Sequence, residues 1–221
     1  MHRYLYLTLL LLAACNGAST DDDASQSTTQ APAADALTYV YHCDGDYSFT
    51  ARVTAADSWL FLPGETVRLP RVTSASGVKH SDGSTTFWSK GDVALLEHAG
   101  ASYRNCRNDR RAAIWEHAKL NGADFRAVGN EPGWHMEISN KHDIVLVSDY
   151  GQSRYQFENA TINTSPGDRR TSYLADNGTN RIEVILVGET CQDTMADEDY
   201  ETTVTVTLDD RELNGCGRPL H

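Results

Sequence analysis

Short alternations of apolar and polar residues follow one another through most of the chain after position 36. One of them alternates over four apolar positions, Tyr47, Phe49, Ala51 and Val53. This period of two is typical of a half-buried strand. Turn sequences such as Pro63-Gly64 and Ala99-Gly100 separate these segments at short intervals. Seven or eight strands at this spacing, with no long helix, predict a small antiparallel barrel or sandwich over residues 37–107.

The second half of the chain has the same period. Five residues alternate cleanly near its end: Tyr200, Thr202, Val204, Val206 and Leu208. Asn177-Gly178 is a strong hairpin signal ahead of the apolar segment Ile182–Val187. The pattern predicts a second antiparallel β domain over residues 123–221, so the fold class is all-β.

One helix is predicted between the two β domains, over residues 108–122. Asn108 or Asp109 supplies an N-cap, and Asn121-Gly122 ends the segment. Its apolar edge consists of Ile114, Trp115 and Ala118. We expect a short connector that packs on one of the domains.

The first fifteen residues have the pattern of a targeting segment. Arg3 precedes a short apolar run that ends in Ala13-Ala14-Cys15, which resembles a bacterial lipobox. That resemblance implies cleavage before Cys15 and a lipid on its sulfur; the alternative is an ordinary secretory signal cut nearby. Asn16 follows the cysteine, and the sorting rule of enterobacteria then favours the outer membrane, facing the periplasm.

Residues 16–36 contain no large apolar side chain and are rich in Ser, Thr, Ala and Asp. Such a segment buries too little surface to offset the entropy of ordering it. We therefore expect a disordered tether.

The chain has five cysteines, and four remain if Cys15 carries lipid. An even number in an exported protein predicts disulfides, with three possible connectivities. Cys43 and Cys106 lie in the first domain, Cys191 and Cys216 in the second, so pairing within each domain is simplest. Because the sequence has no Cys-x-x-Cys pair, we exclude a zinc site at these cysteines.

The formal net charge is −12, and it is unevenly placed. Residues 37–107 carry seven acidic and seven basic side chains, whereas residues 120–221 carry eighteen acidic and eight basic ones. An acidic half does not suit nucleic acid, whose phosphates require lysine and arginine. The excess acid confers solubility, or it attracts a basic protein partner.

Two glycine-containing loops hold the residues with the clearest functional pattern. Ser76-Gly77-Val78-Lys79-His80 is followed by Trp88-Ser89-Lys90-Gly91. These segments resemble the membrane-bound inhibitors of C-type lysozyme, which have a Ser-Gly-x-x-Tyr loop and a Trp-x-Lys-Gly loop. His80 departs from the pattern, since the family usually has tyrosine there.

This resemblance covers about residues 39–107 and implies a small β-barrel closed by a Cys43–Cys106 bridge. It further implies that the chain is not an enzyme, needs no cofactor or metal, and binds C-type lysozyme, a basic protein. The implied mechanism is insertion of the Ser76 and Lys90 loops into the catalytic cleft. The implied contact residues are Ser76, Gly77, His80, Trp88, Lys90 and Gly91.

Other chemistry is less favoured by the sequence. Ser76, His80 and Asp82 include the residue types of a hydrolase triad, but they lie within seven residues of one another and lack a nucleophile elbow. His135 and Glu137 share a strand face near His142, a spacing that more often reflects solvated polarity than a metal site.

The second half also carries motifs. Phe125–Ile138, the stretch from Cys191 to Met195, and Gly215-Cys216-Gly217-Arg218 resemble a domain of uncharacterised predicted bacterial membrane lipoproteins. Within the first of them, Glu131-Pro132-Gly133-Trp134 is most simply a turn into a strand, with a ligand groove as the alternative. The competing hypothesis for the whole chain is therefore an envelope structural or ligand-binding lipoprotein that acts through its C-terminal domain.

Overall fold

Eight antiparallel strands close a barrel in the computed structural model, which describes residues 35–221. Cys15, the predicted signal segment and most of the predicted tether lie outside the described residues. The strands are β1 (Leu37–His42), β2 (Ser48–Val53), β3 (Asp57–Leu62), β4 (Glu65–Val72), β5 (Val78–Ser81), β6 (Thr86–Lys90), β7 (Val93–His98) and β8 (Ala101–Asn108). The predicted barrel is confirmed. Ala36, the last residue of the predicted tether, is already buried.

The barrel core is filled by the alternating residues that predicted its strands. Tyr41 contacts Phe49 and Phe87, with ring centroids 5.3 and 5.7 Å apart. All three rings are buried, together with Leu60, Leu69 and Leu96. Burying an apolar side chain of this size contributes roughly 1.5–3 kcal/mol, so the interior rings are a main source of the barrel's stability.

The seam between β1 and β8 closes the barrel through few paired residues. Only Tyr41 with Asn108 and His42 with Arg107 form register pairs there, whereas β1 and β2 share six pairs. The next step along the seam joins Cys43 to Cys106 by a disulfide. The bridge therefore continues the seam where the strand pairing stops.

A single α-helix, α1 (Arg110–Leu120), follows the barrel among the described residues. Asp109 caps it, because its carboxylate accepts hydrogen bonds from the backbone N–H groups of Arg111 and Ala112. The predicted apolar edge is partly wrong. Ile114 is 51 % exposed, and the buried residues are instead Ala113, Trp115 and Ala118.

The second half forms a curled nine-stranded antiparallel sheet in the order β12-β11-β10-β9-β19-β18-β15-β14-β13, as predicted in class. Its strands are β9 (Ala123–Asn130), β10 (Gly133–Ser139), β11 (Ile144–Ser148), β12 (Ser153–Phe157), β13 (Thr161–Ser165), β14 (Arg170–Asp176), β15 (Arg181–Val187), β18 (Thr202–Leu208) and β19 (Arg211–Pro219). A separate hairpin pairs β16 (Cys191–Asp193) with β17 (Glu198–Tyr200). Two short 3-10 turns occupy Asp149–Gly151 and Pro166–Asp168.

The inner face of the sheet holds the second core. Trp134, Met136 and Ile138 alternate inward along β10 and pack with Leu146 and Val206. The residues between them, His135 and Glu137, face outward. The second predicted bridge, Cys191–Cys216, ties the small hairpin to β19.

Helix α1 joins the two halves, because it packs against both β1 and β9. Thr38 Oγ1 is hydrogen-bonded to His117 Nδ1 at 3.1 Å on the barrel side. On the other side the ring of Trp115 lies under two guanidinium groups, those of Arg126 and Arg218, at 5.7 and 4.5 Å. Within residues 35–221, α1 is too short and too polar to cross a membrane, and no other helix is long enough.

Candidate functional site

The two predicted loops lie side by side at one end of the barrel. The Ser76 loop connects β4 to β5, and the Gly91-Asp92 turn connects β6 to β7. Since Val78 pairs with Ser89, the residues just before β5 reach the end of β6. Strand register therefore brings Ser76 next to Lys90.

One hydrogen bond fastens the two loops together. The indole Nε1–H of Trp88 donates to the backbone carbonyl of Ser76 at 2.8 Å. The hydroxyl of Ser74 donates to the carbonyl of Gly77 at 3.1 Å and closes the loop from within. The hydroxyl of Ser76 itself makes no hydrogen bond within the described residues, so it is available to a partner.

Gly77 allows the close approach of the two loops. Its φ of +68° lies in the left-handed region, and a Cβ at this position would lie 2.4 Å from the backbone oxygen of Ser89. Only glycine satisfies both requirements. The loop sequence and the loop contact therefore depend on the same residue.

Replacing Gly77 by alanine should destabilise the barrel more than the same change at Gly45. Both glycines have similar positive φ values, +68° and +77°, but nothing lies within 4 Å of a Cβ at Gly45. Gly45→Ala should thus cost only the left-handed strain of about 1–2 kcal/mol, and Gly77→Ala a further 1–3 kcal/mol or so for the clash. The free energy of unfolding in urea measures both. Equal losses would mean that the Ser89 contact does not constrain the loop.

Lys90 projects from the end of β6, and its turn is fixed from behind. Asp92 accepts hydrogen bonds from Arg110, which holds the pKa of that carboxyl below its usual range. The backbone N–H of Asn108 also donates to the carbonyl of Asp92 at 2.8 Å. Lys90 is exposed and makes no ion pair within residues 35–221, so its ammonium is free to meet an anion.

A groove of about 510 Å³ runs between the two loops and β8. Its lining includes Ser76, Trp88 and Lys90. Arg104 and Arg107 also line it, although neither belongs to the two loop motifs. We refer to it as the barrel groove. No acidic side chain is among the described residues that line it.

Strand register explains why Arg107 lies on the same surface as Lys90. Lys90 pairs with Val93, and Val93 pairs with Arg107 on the next strand. Residues directly opposite one another in a sheet share a face, so Lys90 and Arg107 project to the same side. The only signal in the sequence was the presence of Arg104 and Arg107 close to Cys106, and their direction cannot be assigned until the register is known.

His80 does not share this surface. It is completely buried in the barrel, its ring lies 6.1 Å from that of Phe87, and neither ring nitrogen has a hydrogen-bond partner among the described residues. The expectation of a direct contact residue is therefore wrong for this conformation, because β5 turns this position inward. Burial, and secondarily Arg71, lowers the pKa of His80, while Asp57 opposes them.

The buried imidazole predicts loss of stability in mild acid. The unfolded chain takes up a proton at about pH 6.5, before the folded chain does, so the free energy of unfolding falls as the pH drops below that value. Burial also lowers the pKa of His117 and His135, so the wild-type slope contains all three. His80→Phe should have a shallower decline, measured by urea unfolding at several pH values. The exposed His221→Gln serves as control, and a wild-type slope in His80→Phe would contradict this account.

The comparisons with known proteins concern the barrel segment. Residues 41–105 match the family model described as membrane-bound lysozyme-inhibitor of c-type lysozyme. The resemblance is thus confirmed for this segment. A curated "Membrane-bound lysozyme inhibitor of C-type lysozyme" from Yersinia enterocolitica serotype O:8 / biotype 1B is 53 % identical over 38 residues. This match covers 17 % of the chain and 32 % of that relative, and no solved structure gives a significant match.

The hydrolase arrangement considered from the sequence does not form. The carboxylate of Asp82 accepts hydrogen bonds from the backbone N–H groups of Ser84 and Thr85, so it fixes a turn. His80 contacts neither Asp82 nor Ser76 through a hydrogen bond. The inhibitor-like segment holds no triad of these three residues.

The histidines of the second half are also separate. Glu137 forms an ion pair with Arg126, and His142 lies in a turn near Tyr173. Among residues 35–221 there is no group of three or more His, Cys, Asp or Glu side chains that could hold a metal ion.

Proposed function

We propose that the barrel inhibits C-type lysozyme by presenting Ser76 and Lys90 to the catalytic cleft. The observation that supports this most directly is the hydrogen bond from Trp88 to the Ser76 carbonyl, which holds both loops on one groove. The groove belongs to the segment that matches the inhibitor family. Gly77 and Gly91 form the turns that allow both side chains to project.

The chemistry of glycoside hydrolysis makes such a surface inhibitory. Lysozymes act through two carboxyl groups, one that protonates the leaving oxygen and one that stabilises or captures the sugar cation. An ammonium about 4 Å from a carboxylate, at an effective dielectric constant of about 20, interacts by roughly 4 kcal/mol before desolvation is subtracted. Lys90 supplies that charge, and the unoccupied hydroxyl of Ser76 supplies a hydrogen bond to the acid.

Arg104 and Arg107 extend the same surface. Both are exposed on β8 and line the barrel groove, so they add two cations beside Lys90. They offer the cleft more positive charge than the two loops alone. The acidic half, with eighteen acidic and eight basic side chains in residues 120–221, attracts the basic body of the enzyme at longer range.

Titration of a C-type lysozyme with the soluble protein tests this proposal. Residual activity against a cell-wall substrate should fall as the inhibitor concentration rises. The absence of inhibition at micromolar concentration would contradict the proposal.

We also propose that the protein is held at a membrane through lipid on Cys15, in the bacterial envelope and most simply on the periplasmic face of the outer membrane. The support is the Ala13-Ala14-Cys15 pattern and the membrane-bound description of the matched family. Labelled palmitate should enter the wild-type protein, and Cys15→Ala should leave it soluble and unlabelled. Label that persists in Cys15→Ala would contradict lipidation at this residue.

A further inference from the structure

A second groove lies on the outer face of the nine-stranded sheet, and it shares no described lining residue with the barrel groove. One part, about 410 Å³, runs from Arg126 and His135 to Gly133 and Tyr150. The other, about 530 Å³, continues from the same arginine and histidine to helix α1, β1 and Arg154. We refer to both parts as the outer groove. Each is within the range of roughly 300–1,000 Å³ that is usual for small-molecule sites.

Register places the polar residues of the outer groove on one face. His135 of β10 pairs with Val128 of β9 on one side and with Val147 of β11 on the other. Val147 pairs in turn with Arg154 of the edge strand β12. The groove floor is therefore aliphatic, with an imidazole in its middle and a guanidinium on its rim.

The charge of the outer groove opposes that of its surroundings. Arg110, Arg126 and Arg154 line it, and Glu137 is the one acidic side chain among its described lining residues. Arg126 and Arg154 lie in residues 120–221, where acidic side chains outnumber basic ones by more than two to one. A cationic lining inside an acidic domain is the arrangement expected for an anionic ligand.

Arg126 and Arg154 differ in their exposure and in their ion pairs. Arg126 is 7 % exposed and paired with Glu137, yet its Nε–H has no hydrogen-bond partner among the described residues. Arg154 is exposed and makes no ion pair within residues 35–221. Arg154 is near enough to contribute to the lowered pKa of His135, whose main cause is burial. This lowered pKa favours the neutral imidazole, in which one nitrogen donates and the other accepts, so both are suited to hydroxyl groups.

Tyr150 forms the far wall and is held there at a conformational cost. Asp149, Tyr150 and Gly151 all have positive φ values, 55°, 56° and 91°, although the first two carry side chains. Arg211 stabilises this turn with two hydrogen bonds to Asp149, at 2.7 and 3.2 Å. Backbone strain of this kind persists where the surroundings fix it, and it concentrates at ligand sites.

The strained turn positions an aromatic ring that is 78 % exposed. The ring of Tyr150 lies across Gly133, where a Cβ would come within 2.8 Å of it, so the glycine of the Glu131-Pro132-Gly133-Trp134 motif gives it room. An aromatic ring held in place and left open to solvent offers a flat apolar face with a polar tip. The apolar face of a pyranose ring stacks on such a surface.

We propose that the outer groove binds a saccharide that carries a carboxylate. Tyr150 stacks on the sugar ring, and the imidazole of His135 binds its hydroxyl or amide groups. The side chain of Asn130 also lines the groove; its amide nitrogen donates to Asp193 at 2.6 Å, which leaves its carbonyl oxygen to accept from the ligand. Arg154 pairs with the carboxylate in the bidentate geometry that a guanidinium allows. The site is separate from the barrel groove and does not depend on lysozyme inhibition.

Three probes separate the parts of this proposal in titrations of the soluble Cys15→Ala protein, followed by calorimetry or chemical-shift changes. N-acetylmuramic acid is N-acetylglucosamine with an added lactyl carboxylate, and lactate is the acid without the sugar. N-acetylmuramic acid should bind about tenfold or more tightly than either of the others. If N-acetylglucosamine bound equally well, the ligand would need no carboxylate. If lactate bound equally well, the ligand would need no sugar ring. No binding of any probe at millimolar concentration would overturn the proposal.

Two variants test the assignment of the residues. Arg154→Gln should weaken the binding of N-acetylmuramic acid several-fold and leave the binding of N-acetylglucosamine unchanged. Tyr150→Asn, which keeps a residue tolerant of positive φ, should weaken both sugars and leave lactate unchanged. Arg170→Gln, an exposed arginine on β14, is the matched control. All three variants should retain lysozyme inhibition, so failure here is distinguishable from failure of the barrel groove. If Arg154→Gln and Tyr150→Asn bind N-acetylmuramic acid like the wild type, the proposed site is wrong.

Discussion

Lys90→Ala is expected to weaken inhibition of C-type lysozyme by about tenfold or more. A tenfold change corresponds to only about 1.4 kcal/mol, well within the roughly 4 kcal/mol estimated for an ammonium beside a carboxylate before desolvation. Because Lys90 makes no ion pair within the described residues, its removal breaks no contact that holds the barrel together. The change should therefore act on binding and leave the free energy of unfolding nearly unchanged.

Ser76→Ala should have the smaller effect of the two. Trp88 binds the backbone carbonyl of Ser76 and does not use its hydroxyl, so the loop should keep its shape in the variant. The loss is then limited to one hydrogen bond with a charged group, about 1.5–3 kcal/mol at most, against roughly 4 kcal/mol before desolvation for the ammonium of Lys90. Residual lysozyme activity, measured against inhibitor concentration, gives the inhibition constant of each variant relative to the wild type.

Lysine controls distinguish a specific cation from general charge. Lys141→Ala removes an exposed lysine between β10 and β11 and should leave inhibition unchanged. Lys79→Ala tests the nearest alternative, because the Lys79 ammonium lies 5.9 Å from the ring of Trp88 but outside the barrel groove. If the double variant of Ser76 and Lys90 inhibits like the wild type, the two loops are ordinary turns.

The barrel could be predicted from the sequence because its alternation is local. Most strands display their inward residues at every second position, and every barrel turn except the one at residues 54–56 carries its own glycine. The helix ends were also predictable, since Asp109 caps α1 and Asn121 follows it. The buried face of α1 was less predictable, because Ala113 is buried by tertiary contact while the larger Ile114 is left exposed.

The candidate site was only half visible in the sequence. Ser76 and Lys90 belong to contiguous motifs, whereas Arg107 reaches the same groove through pairing across two strands. The inward direction of His80 likewise follows from the register of β5, where a shift of one residue would turn it to solvent. The outer groove depends on both register and the helix packed beside the sheet, and no local pattern encodes either.

Removing the Cys43–Cys106 bridge should cause a large loss of stability. By the loop-closure estimate, a bridge with a sequence separation of 63 contributes about 4 kcal/mol, and one with a separation of 25 contributes about 3.5 kcal/mol. The difference between these two free energies is small, so loop-closure entropy alone does not predict different effects for the two bridges. Their positions in the fold do.

Cys43–Cys106 lies at the seam where β1 and β8 share only two register pairs. Without it the seam keeps its two register pairs and a few hydrogen bonds, such as that from the backbone N–H of Asp44 to the carbonyl of Arg104 at 3.1 Å. The strand β8 also carries Arg104 and Arg107 of the barrel groove. The variant Cys43→Ala with Cys106→Ala should therefore lose about 4 kcal/mol in urea unfolding and should also inhibit lysozyme more weakly under conditions where it remains folded. Its matched control, Cys191→Ala with Cys216→Ala, should lose a similar free energy of unfolding but keep wild-type inhibition, because that bridge fastens the hairpin to β19 far along the chain from the two loops. Equal loss of inhibition in both variants would mean that the bridges act through overall stability, and that the seam does not position the arginines.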